Sequence, residues 1–171
     1  MLHHYQNKEI RIPTVPEAAD PRRYDNLMGE LLEGSYWIVD ILPEQVPADA
    51  AGQYFAVERY FLRPERIGPL RRKYAEILLR LNCYYDMAVS FDSCMSWEIN
   101  PDPEDFTERV TKLSGKDFLR AVFAEQNAMI DYDRNDTYLT VYDPNAALLD
   151  KLKALAAAEG LFVWATTREE G

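Results

Sequence analysis

Residues 137–166 read TYLTVYDPNAALLDKLKALAAAEGLFVWAT, and this stretch decides how the rest of the chain is read. Thr137–Tyr142 alternates as a strand does. Asp143-Pro144 then supplies a cap and a first-turn proline. Ala147, Leu148, Leu152, Leu155 and Ala156 follow on one side of a helix that Gly160 ends. Leu161–Thr166 (LFVWAT) is aromatic and β-branched, and reads as a final strand.

Working outward, the same order recurs upstream. Gln53–Leu62 (QYFAVERYFL) reads as a strand, and Pro69–Asn82 as a helix striped by Leu70, Tyr74, Ile77, Leu78 and Leu81. Cys83–Phe91 (CYYDMAVSF) reads as a strand again. From the opening proline, 17 residues lead to Asp86 in one copy (69 to 86) and 17 to Leu161 in the other (144 to 161). Ser35–Leu42 and Ala128–Asp133 precede the two copies as further strands, giving ββαβ twice. Identity between the copies is low, so duplication and the commonness of the motif both stay open.

The remaining segments fit around these units. Tyr24–Glu33 is a short helix stopped by Gly34, and Pro43, Pro47 and Gly52 mark a loop. Met95–Ile99 returns beside the third strand, and Asp102-Pro103 opens a helix carrying Phe106, Val110 and Leu113. Ser114 is placed to cap a helix running to Gln126, with Phe118 and Val122, Leu119 and Phe123 on its buried side. Ala128–Asp133 and Thr137–Tyr142 form a hairpin around Arg134-Asn135-Asp136. Residues 1–23, with Pro13, Pro16 and Pro21, read as an extended arm, and 24–171 as one domain. The whole predicts an α+β two-layer sandwich, a mixed or antiparallel sheet with helices on one face.

Composition excludes several kinds of chemistry. Both histidines, His3 and His4, fall in the arm, so the body has no imidazole for a Ser-His-Asp or Cys-His device. The glycines are scattered, and no two are close enough to cradle a phosphate. Cys83 and Cys94 fit neither a zinc spacing nor a disulfide framework. No cofactor and no metal are therefore expected. A net charge of −10 argues against nucleic acid as a partner. No apolar run approaches a membrane span and Met1–Arg11 has no signal-peptide core, so a cytoplasmic, soluble chain is expected.

The charge is unevenly spread. Arg59–Arg80 holds seven bases against two acids, and Tyr84–Glu108 holds seven acids and no base. Such blocks usually solvate an exposed face, although two poles could also hold partners of opposite sign.

Strand alternation points to one candidate surface. Aliphatic side chains take one face of the sheet, and tyrosines with carboxylates take the other: Tyr36 and Asp40, Tyr54, Glu58 and Tyr60, Tyr84 and Asp86, and Tyr138. Tyrosine gives large contact area with a polar tip, and rings beside acids hold cations. The expectation is a non-catalytic module that binds a protein partner, itself as a homodimer, or a positively charged ligand through this face. A neutralising role toward a basic protein fits the same charge. Alternatively the tyrosines pack beneath the arm or a second subunit.

A carboxylate-dependent hydrolase of a small or carbohydrate substrate is the runner-up, with Glu58–Asp86 or Glu58–Asp40 as its acid pair. Other motifs carry less. Asp131-Tyr132-Asp133-Arg134-Asn135-Asp136 opens like a calcium loop, but Asp136 stands where glycine is needed and Tyr142 where glutamate is. Glu98, Asp102, Glu104 and Asp105 gather around a helix start, where carboxylates meet the positive dipole end.

Overall fold

A computed structural model describes residues 20–166. The expected arm therefore lies outside the described residues up to position 19, as does the charged tail Arg168–Glu170. In chain order the elements are α1 (Asp25–Glu33), β1 (Tyr36–Asp40), α2 (Ala51–Phe61), α3 (Pro64–Asn82), β2 (Ala88–Ser90), β3 (Glu98–Ile99), α4 (Pro103–Thr111), β4 (Phe118–Phe123), β5 (Ala128–Asp133), β6 (Leu139–Tyr142), α5 (Ala146–Ala158) and β7 (Phe162–Ala165). The strands form one seven-stranded sheet in the order β3-β2-β4-β5-β6-β1-β7, and every neighbouring pair is antiparallel. The protein has an α+β fold.

The opening stretch folds as strand, helix and strand. β6 and β7 flank β1, both antiparallel to it, and α5 carries the chain between them. Asn145, rather than Asp143, caps α5, its side-chain oxygen accepting the Leu148 N–H at 2.9 Å. The β5–β6 hairpin and the short return strand β3 also lie where the sequence puts them.

Several expectations need correction. Gln53–Leu62 is no strand: α2 occupies it. Its half-buried positions, Tyr54, Val57, Glu58, Phe61 and Leu62, recur at i, i+3, i+4, i+7 and i+8, a helical stripe beneath strand-favouring residues. Ser114–Gln126 is no helix, because Phe118–Phe123 forms β4, with Leu119, Ala121 and Phe123 buried on one face. Cys83–Phe91 is mostly turn, and only Ala88–Ser90 pairs. Pro64, not Pro69, takes the start of α3, and Pro69 lies within it. With Tyr54–Leu62 helical, the upstream copy lacks its first strand after β1, and the expected ββαβ repetition has no structural counterpart there.

Helices α3, α4 and α5 cover one face of the sheet. Their core joins Leu70, Tyr74, Ile77, Leu78, Phe106, Val110, Leu148 and Leu152 to Val39, Val89, Leu119, Ile130, Leu139 and Val141. Arg71 is buried in this layer and donates to the carbonyls of Thr111, Leu113 and Arg134 and to the Tyr132 hydroxyl. The second face is partly roofed as well. Tyr24, Met28 and Leu31 of α1 and its flank pack with Trp97 on Ala88, Val122 and Met129. Beside them Arg120 grips Asp131 with two hydrogen bonds of 2.8 and 2.6 Å. Past this point, over β6, β1 and β7, the described residues cover the second face only in part, with the loop after β1 and the start of α2.

The two charge blocks are largely tied to local partners. Arg80 pairs with Glu159, Arg109 with Glu98 and Lys112 with Glu108, while Asp102 caps α4.

Candidate functional site

On this part of the second face lies a cleft of about 520 Å³, a size that suits a small ligand. Its floor is the alternation of three strands: Tyr36, Ile38 and Asp40 from β1, Thr140 and Tyr142 from β6 with Tyr138 just before it, and Trp164 of β7 with the adjoining Thr166. The pairing register sets these side by side, with Ile38 opposite both Thr140 and Trp164. The wall is the loop Glu44–Ala48 and the start of α2, with Ala51 and Tyr54. Trp164 Nε1 donates to the Leu42 carbonyl at 3.1 Å, tying this loop to β7. Thr166 Oγ1 donates to the Tyr36 carbonyl at 3.0 Å.

Among the described residues, five aromatic rings line the cleft (Tyr36, Tyr54, Tyr138, Tyr142 and Trp164), together with the carboxylates of Asp40 and Glu44 and with no lysine, arginine or histidine. Glu58 stands one helical turn from Tyr54 and accepts its hydroxyl proton at 2.8 Å. The Tyr36 and Tyr142 rings lie 6.1 Å apart.

The electrostatics are one-sided. Asp40, 5% exposed, accepts the Ile41 N–H at 2.7 Å. Burial pushes its carboxyl up from 3.8 to about 6, against the pull of the Ile41 and Leu42 N–H groups and with the help of the Glu58 charge. Burial likewise lifts Asp136 to about 6, with Asp133 and Glu58 adding repulsion. Tyr138 is pushed up to about 12 by burial and then by Asp136, Glu58 and Asp40. Tyr54 is raised further, by burial, its bond to Glu58 and the charges of Glu58 and Asp40. Among the described residues, the charges acting on these four groups include no positive side chain.

The eight residues of the expected surface divide. Tyr36, Asp40, Tyr54 and Tyr138 line the cleft, and Glu58 adjoins it through Tyr54. Tyr60 does not join them. On a helix it lies about 240° around from Tyr54, and Arg66 and Arg63 stack on its ring at 3.9 and 5.4 Å. Tyr84 and Asp86 lie in the turn after α3 instead of on a strand. Tyr84 is 59% exposed and lies beneath Lys151 of α5, and Asp86 accepts from Asn100 at 2.9 Å. The pair Glu58–Asp86 is therefore not part of this site, whereas Asp40 and Glu58 act on one another.

Sequence reading passes over Asp136, taken as a turn residue, although it stands two before Tyr138 and so shares its alternation phase. Trp164, too, belongs to the cleft floor. Trp37 is on the helix-covered face beneath Lys153, and Trp97 is buried under α1. Among the described residues no three or more His, Cys, Asp or Glu side chains gather as a metal site would require, and no helix is long and apolar enough to cross a membrane.

The arrangement can therefore do two things. Neutral phenols donate hydrogen bonds and present ring faces, and the carboxylates accept or hold positive charge. Comparison with known protein families, curated proteins and solved structures finds no match to this chain.

Proposed function

We propose that the cleft over β6, β1 and β7 is a binding site for an organic cation, free or carried on a partner protein, and that the protein is a binding module. One observation carries this reading: Glu58 repels both Asp40 and Asp136 beside a cleft walled by aromatic rings, with no cation among the described residues of the lining. A bound ammonium or guanidinium would relieve that repulsion and meet the ring faces. Among the described residues the carboxylates do not cluster as metal ligands, which favours an organic cation over an inorganic one.

Calorimetric titration with n-butylammonium and n-butylguanidinium, against n-butanol as neutral control, tests this. Saturable binding of the cations that weakens about tenfold in Asp40→Asn supports it, and equal or absent binding of all three ligands refutes it.

The carboxylate-dependent hydrolase has one observation in its favour. Asp40, held up to about 6 beside Glu58, sits in the range where a carboxyl group exchanges protons near neutral pH. Turnover of a panel of nitrophenyl glycosides and esters, lost in Asp40→Asn and Glu58→Gln, would favour it over binding alone.

A further inference from the structure

The sheet has two edges, and they are built differently. β3 is two residues long, carries Glu98 in an ion pair with Arg109 and runs toward Pro101, which are common ways to blunt an edge. β7 has none of them. Its four residues, Phe162-Val163-Trp164-Ala165, include no charge, no proline and no bulge, and Phe162 is 45% exposed. Among the described residues no strand lies beyond it.

The phase of the ladder shows which backbone groups this edge presents. The Thr166 N–H donates to the Tyr36 carbonyl at 3.3 Å, so Tyr36/Thr166 is a hydrogen-bonded pair. By antiparallel alternation Ile38/Trp164 and Asp40/Phe162 are the next such pairs. The N–H and C=O groups of Val163 and Ala165 must then point away from β1, outward from the sheet. The same strand supplies Trp164 to the cleft floor, and Thr166 adjoins it. A strand added about 4.8 Å beyond β7 would therefore lie along the rim of the cleft, with alternate side chains on the cleft face.

We infer that the occupant is an extended peptide segment of a basic partner, which pairs with β7 and sends a lysine or arginine side chain over Trp164 into the acidic aromatic cleft. Main-chain bonds to Val163 and Ala165 supply affinity whatever the sequence, and the cleft selects the basic side chain. Charge complementarity decides the occupant, since the rim leads to Asp40 and Glu44 with no cation among the described lining residues. The inference rests on the cation-binding reading of the cleft and adds the partner's form.

Four probes test it on the full chain: the acetylated, amidated peptide Thr-Val-Thr-Lys-Thr-Val-Thr, its norleucine analogue at the lysine, a version N-methylated along the pairing edge, and n-butylammonium. The expected result is that the lysine peptide binds at least tenfold tighter than n-butylammonium and slows amide exchange of Val163 and Ala165 at least tenfold. The norleucine and N-methylated peptides should each lose tenfold. If n-butylammonium binds while the lysine peptide gains nothing and exchange is unchanged, the inference fails and the cleft reading stands. If neither binds, both fall. Protection of Val163 and Ala165 without peptide, rising with protein concentration, would assign the edge to a second copy of this chain and overturn the inference.

Discussion

Asp40→Asn should stabilise the folded protein at alkaline pH, because the fold holds a carboxylate where a neutral group would be better tolerated. The substitution keeps the side-chain shape and an oxygen able to accept the Ile41 N–H. Burial lifts the Asp40 carboxyl from 3.8 to about 6. At 1.36 kcal/mol for each pH unit, that shift amounts to about 3 kcal/mol. The folded state binds this proton more tightly than the unfolded chain, so the contribution is present in full below pH 4 and lost as pH rises to 6. Above pH 7 the wild type therefore carries the whole cost, and the variant does not. The new amide N–H groups must find water or Tyr partners, which brings the expected gain to about 1–3 kcal/mol. For a chain of this length that is roughly 3–10 °C in Tm. Urea melts of both proteins at pH 4 and pH 8 measure the effect. A variant equally or less stable at pH 8, or a gain that is the same at both pH values, would refute the burial argument.

Other outcomes follow from the same structure. Asp131→Ala should cost about 3–5 kcal/mol by leaving the Arg120 guanidinium largely buried without its carboxylate, and Arg120→Met combined with Asp131→Leu should recover most of it in chemical denaturation. Arg71→Met should destabilise by about 3 kcal/mol or more, since the carbonyls of Thr111, Leu113 and Arg134 lose their donor, read by the same assay. Tyr54→Phe should weaken n-butylammonium binding about fivefold by removing the hydroxyl that positions Glu58, while Tyr60→Ala should leave it within about twofold. Gly160→Ala should cost about 1 kcal/mol, because Gly160 ends α5 at φ +72°, and a thermal melt checks it.

What the sequence made legible depends on how residue spacing maps onto faces. A separation of four returns to the same face in a strand and to within about 40° in a helix. Tyr54 and Glu58 therefore stay together although their segment is α2 and not a strand. Tyr60, six residues from Tyr54, shares its face only in a strand and is lost from the site. The same degeneracy works in reverse at β4: Phe118 with Val122 and Leu119 with Phe123 fit a helix and a strand alike, and tertiary pairing with β2 and β5 decides. Tyr36, Asp40 and Tyr138 were readable because β1 and the β6 segment are short, strongly alternating and followed by Pro43 and Pro144. Glu44 and the loop wall were not, since the Trp164–Leu42 bond that fixes the loop spans 122 residues and leaves no local signature. Nor could alternation reveal that α1 roofs one half of the second face while the loop after β1 and the start of α2 wall a cleft over the other.

On the cation-binding proposal, a bound ligand balances the negative charge around the cleft. Carboxyl-carbon NMR of Asp40, titrated with and without saturating n-butylammonium, tests it most directly. The expected midpoint is near 6 in the free protein, falling by about one unit or more with the cation bound. A midpoint that does not move while the ligand is bound would contradict it.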